Sequence, residues 1–208
     1  MTPRIGRWPV ILLTAAVGVA AGACGATAPS ASVPPPNETA APSASITTRP
    51  PTSLPVGVVV DPGLLEVLPP AIDGVPLDPD PTTAAQIATD PVLAESAISI
   101  AVALAVGVGT STGDDLAVAS VIRLRPEVFD EAFYQSWRVS YNEGACDVAD
   151  GVESERESEI GGRVVYVGTC SGGVRTYHTY LEEQGFIVSI TATGERRFGE
   201  LILVGLAG

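Results

Sequence analysis

Alternation of apolar and polar side chains dominates the second half of the chain. Ile98, Ile100, Val102, Leu104, Val106 and Val108 fall at every second position, with Ser99, Ala101, Ala103 and Ala105 between them. A period of two with many β-branched residues predicts a strand, and alanines on its second face leave room for a helix to approach closely. Leu116, Val118, Ser120, Ile122 and Leu124 alternate in the same way after the turn-forming TSTGDD, so the two segments predict an antiparallel hairpin. Further strand signals, GVESERESEI, RVVYVGTC, VRTYHTYL and FIVSITATG, are separated by GG, SGG and EEQG. That spacing predicts a four-strand meander.

Helical patterns stand around these strands. PTTAAQIATDPVLAES predicts a short helix ending before Asp90, then a second of a turn or two with Asp90 as its cap and Pro91 at its first position. Pro126 opens the clearest helix, PEVFDEAFYQSWRVSYNEG, with Glu127, Asp130 and Glu131 in the favourable first turn and Gly144 as the stop. Phe129, Phe133 and Trp137 recur at spacing four with Tyr141 beside them. Such a stripe faces a core, and the same four side chains would line a ligand cavity if the space under the sheet were incompletely filled. ERRFGELILVGLAG closes the chain as an amphipathic helix with Phe198, Leu201, Ile202 and Gly205 inward. Residues 57–81 carry repeated Pro among apolar residues and read as an extended strap lying on the domain. The order implies an α+β domain: an antiparallel sheet of about six strands, hairpin plus meander, covered by two or three helices.

The first 56 residues follow other rules. Arg4 and Arg7 precede an apolar run of 14 residues at 10–23, shorter than the roughly 20 that a membrane span needs. Residues 1–23 therefore read as a signal peptide. From Gly25 onward the chain is rich in Ala, Ser, Thr and Pro, with few large apolar side chains before residue 57. Such a segment cannot offset its chain entropy by burial, so residues 24–56 read as a disordered tether. Between run and tether, Ala21, Gly22 and Ala23 lead into Cys24. This stretch resembles the lipobox of bacterial lipoproteins, although Ala21 stands where a larger aliphatic residue is commoner. The resemblance implies that Cys24 is acylated and anchors the folded domain, residues 57–208, to the outer face of the cell membrane; ordinary cleavage and secretion is the alternative.

Charge narrows the partners. The chain has 11 Arg, no Lys and 24 acidic residues, a formal net charge of −13. Such a surface repels phosphate backbones, so nucleic-acid binding is disfavoured. Export would place Cys146 and Cys170, the remaining thiols, in an oxidising compartment, where they are expected to form a disulfide worth roughly 3.5 kcal/mol in the loop-entropy model.

No recognised catalytic, phosphate-binding or dinucleotide motif appears, and no cofactor is expected. His178 is the single histidine, and on a strand it shares a face with Thr176 and Tyr180. A nucleophile and an orienting carboxylate near it would make a hydrolytic site; otherwise it is a sheet-face histidine bonded to a neighbour. Glu153, Glu155, Glu157 and Glu159 share one face of a strand, which suits a charged edge better than a calcium site. Asp114 and Asp115 fit hairpin-turn chemistry. The order of elements is loosely similar to the PsbP-like layout of some actinobacterial lipoproteins and sensor domains, which implies a non-catalytic binding or interaction module. An envelope hydrolase built from scattered residues such as His178 and Asp114 is the alternative.

Overall fold

The computed structural model describes residues 57–107 and 115–207. The expectations for the signal peptide, Cys24, the tether and Asp114 lie outside the described residues. The fold is mixed α+β, built on one large sheet. Along the chain run β1 (Val59–Val60), a 3-10 helix (Pro62–Val67), β2 (Ala71–Ile72), β3 (Val75–Pro76) and β4 (Asp78–Pro79). Then come α1 (Pro81–Ile87), α2 (Pro91–Ser96), β5 (Ala97–Gly107), β6 (Asp115–Leu124) and α3 (Glu131–Cys146). Last are β7 (Val152–Ile160), β8 (Arg163–Cys170), β9 (Arg175–Leu181), β10 (Phe186–Thr193) and α4 (Phe198–Val204).

The sheet has eight strands rather than about six. Its order is β1-β5-β6-β10-β9-β8-β7, with β4 also paired to β5. The six long strands are the predicted hairpin and meander, all antiparallel. The two additions are two-residue strands from the Pro-rich stretch, and β1 runs parallel to β5, so the sheet is mixed. Both lie along the outer edge of β5, where Pro79 removes no ladder bond that a central strand would need.

That stretch is also less extended than expected. Pro62 sits in the first turn of the 3-10 helix, where its fixed φ is an advantage, and Asp61 Oδ1 accepts from Gly63 N at 3.0 Å. Asp73 and Gly74, both at positive φ, turn β2 into β3. Leu64, Leu68 and Ile72 bury themselves against the alanine face of the hairpin, beside Ala101, Ala103, Ala105, Ala117 and Ala119. Small side chains there let the backbone of the strap come close, as the sequence implied for a helix.

α4 packs on the same face. Phe198, Ile202 and Leu203 are buried, whereas Leu201 and Gly205 are exposed, which corrects the predicted inward set by one turn position. The opposite face buries Ile100, Val102, Ile122, Leu124 and Ile187 beneath α1, α2 and α3. Helical structure thus covers both faces of the sheet. The caps of α1 and α2 are Asp80 and Asp90, each followed by Pro, as read from the sequence for α2.

α3 differs from its prediction at both ends. It starts at Glu131, capped by Asp130 at 2.7 Å from Phe133 N, because Glu127 takes a φ of 66° and holds the preceding residues in a turn. It runs through Gly144 to Cys146, which bonds to Cys170 at the end of β8. Among the described residues, no helix is long and apolar enough to cross a membrane.

Candidate functional site

The underside of α3 is where the candidate residues meet. Its first half is aromatic: Tyr134 is buried, with the Phe129 ring 5.5 Å and the Tyr166 ring 5.6 Å away. Its second half is polar. Asn142 is buried one turn before the disulfide and sits directly on the sheet. Gly168 makes that approach feasible, since a Cβ there would come about 3.0 Å from the Asn142 amide and collide with Thr176 Oγ1.

Pairing of β9 with β10 sets His178 opposite Ser189. Ser189 Oγ lies 3.0 Å from His178 Nδ1, and Asn142 Oδ1 lies 2.9 Å from His178 Nε2. The direction of each bond follows from its partners. An amide oxygen only accepts, so Nε2 carries the ring proton and Nδ1 accepts from the Ser189 hydroxyl. Ser189 Oγ accepts in turn from Trp137 Nε1 at 3.0 Å. Asn142 Oδ1 also accepts from Thr176 Oγ1 at 2.6 Å, and Asn142 Nδ2 donates to Glu155 Oε1 at 2.5 Å. A single directed chain therefore runs from Trp137 through Ser189, His178 and Asn142 to Glu155 at the surface.

A serine donating to a histidine that is oriented by an amide has the polarity of a nucleophile–base pair. Access is what it lacks. Ser189, His178 and Thr176 are each fully buried, and Trp137 and Tyr141 lie over them. Burial, with a smaller contribution from the Arg138 charge, lowers the His178 pKa to about 3. The ring is neutral at physiological pH, and both its nitrogens are engaged.

The four aromatic candidates have different partners among the described residues. Phe129 stacks on Tyr180 with centroids 3.5 Å apart. Phe133 tilts against Trp137, and Trp137 holds Ser189. Tyr141 packs edge-on to His178 and shares a hydrogen bond with Thr191 Oγ1 at 3.1 Å; burial raises its pKa against the opposing effect of that bond. Phe129 and Tyr180 line an open cleft of about 690 Å³ with Arg123 and Arg125.

A second cleft, of about 270 Å³, opens between α3 and the β7–β8 edge. Its lining includes Arg138, Asn142, Glu155, Arg156, Glu157 and Tyr166. Here the acidic strand β7 takes a specific part: it forms one edge of the sheet, with Glu155 accepting from Asn142, while burial and then the nearby Glu157 carboxylate raise the Tyr166 pKa. Glu153 falls at an irregularity in the β7–β8 register. Among the described residues, no group of three or more His, Cys, Asp or Glu is placed to hold a metal ion. Asp115 opens β6, and its Oδ1 accepts from Arg196 N at 2.9 Å.

Sequence reasoning missed Asn142, Ser189 and Arg138. Ser189 was within reach, because closing the hairpin with Leu181 opposite Phe186 forces His178 opposite Ser189. Asn142 and Arg138 come from a distant helix and carry no such local signal. No known protein family, curated protein or solved structure matches the chain.

Proposed function

We propose that the protein is a non-catalytic, envelope-anchored binding module, with the cleft between α3 and the β7–β8 edge as its ligand site. The observation that carries this reading is a contrast in access. The one histidine and its serine are sealed under α3 with their hydrogen bonds satisfied, while the polar cleft beside them is open to solvent. A general base must reach the proton it removes, and a neutral ring with a pKa near 3 and no open face is poorly suited to that work. The signal-peptide and lipobox features of the sequence support an address where envelope ligands are met.

The full chain is to be isolated from its host envelope under mild conditions, with co-purifying small molecules identified and esterase and peptidase substrates screened in parallel. The reading expects a bound molecule and no turnover sensitive to His178→Ala. A hydrolytic rate that vanishes in that variant while its fold survives would overturn it in favour of the envelope-hydrolase alternative.

A further inference from the structure

Arg138 is less exposed than Arg175, Arg196 and Arg197, which also form ion pairs, with its side chain 14% exposed. Its guanidinium carbon lies 3.4 Å from the Tyr166 ring centroid and 4.9 Å from that of Tyr134. Stacking on ring faces leaves the planar edge of the group, with its N–H donors, for partners in that plane. Those partners are weak or few. Nε reaches the Tyr134 carbonyl at 3.4 Å, Nη2 reaches the exposed Glu131 carboxylate at 3.4 Å, and Nη1 has no hydrogen-bond partner among the described residues. Its carboxylate partner among the described residues, Glu131, is exposed and stands at 3.4 Å, which leaves the edge facing the cleft for a closer acid.

The cleft that Arg138 lines also holds Glu155, engaged by a single neutral donor, Asn142, and Glu157, which lies near Tyr166. A carboxylate accepts more bonds than that, so both retain capacity toward the cleft. With Arg156 the lining carries two positive and two negative side chains. A simple anion would meet the two glutamates and the chain's net charge of −13; a simple cation would meet Arg138. A molecule carrying both charges satisfies each wall. The volume, about 270 Å³, is that of roughly nine water molecules at about 30 Å³ each, which suits a small metabolite.

We propose that this cleft binds a small zwitterion of the α-amino-acid class, its carboxylate on the free edge of Arg138 and its ammonium toward Glu155 and Glu157. The assignment rests on the binding-module reading and gives that site its ligand class. Free amino acids and short peptides share the two charges at different separations. The test records amide shifts of the isotope-labelled full chain during titration with alanine, leucine, glutamate, lysine and dialanine. The amino acid that binds is then repeated as its N-acetyl and its amide derivative.

Saturable shifts at α3, β7 and β8, weakened at least about tenfold by either blocked end and by Arg138→Gln, are expected. A free amino acid outbinding dialanine identifies the former as the natural class, and the reverse order identifies a peptide. Either blocked derivative binding as well as its parent overturns the zwitterion assignment while leaving the binding module standing. So does the absence of any shift. Cleavage of dialanine contradicts the binding-module reading itself.

Discussion

His178 spends both ring nitrogens on neighbours, so protonating it inside the fold requires breaking the bond from Ser189 and placing a charge away from water. The consequence is a pH dependence with a definite sign. In the unfolded chain the ring titrates near its ordinary 6.5, whereas in the fold its pKa is about 3. Between those values the unfolded state binds more protons, so the contribution of the neutral ring is full above about pH 6.5 and fades as pH falls, by up to about 1.4 kcal/mol per unit. Urea unfolding of wild type and His178→Gln at pH 7 and pH 5 checks this: wild type is expected to lose more stability between the two than the variant does. Equal losses would mean that the ring is already solvated in the fold.

At the scale of elements, strands were legible and junctions were not. Alternation at Ile100, Val102 and Leu104 fixes β5 because a period of two allows one buried set on each face. Pro126 and the acids after it form a plausible first turn, so the sequence places the start of α3 too early; the positive φ of Glu127 and the extended backbone of Asp130 put the cap at Asp130. The far end lies beyond the stop that Gly144 suggests; the helix continues to Cys146, whose bond to Cys170 fastens it beside β8. This fastening holds Asn142 over His178 and Arg138 over Tyr166. Replacing Cys146 and Cys170 together by Ala is expected to lower stability by about 3 kcal/mol. Hydrogen exchange should quicken first in the last two turns of α3; uniform acceleration across the sheet would contradict this placing of the effect.

The described part of the molecule is a sheet with two unlike faces. One is packed with alanines under the strap and α4, and the other carries α3 over an aromatic half and a polar half. The fold class followed from the order of elements, but the site did not, because it joins a helix to β7, β9 and β10 at separations from 13, Asn142 to Glu155, to 52, Trp137 to Ser189. Such pairings are set by packing, which a single sequence does not display. The two short strands on β5 were hidden for another reason: Pro marks what a segment cannot be, and an edge strand of two residues lies inside what it still permits.

The account depends most on α3 sealing a neutral imidazole that takes no part in chemistry. Nitrogen NMR of the histidine ring in the intact protein, followed across pH, measures this directly. The expected spectrum shows one tautomer, protonated at Nε2, unchanged from about pH 8 down to about pH 4.5, with the fold retained. A titration midpoint near the ordinary 6.5, or an Nδ1-protonated ring, would contradict the sealed arrangement and return His178 to the list of working residues.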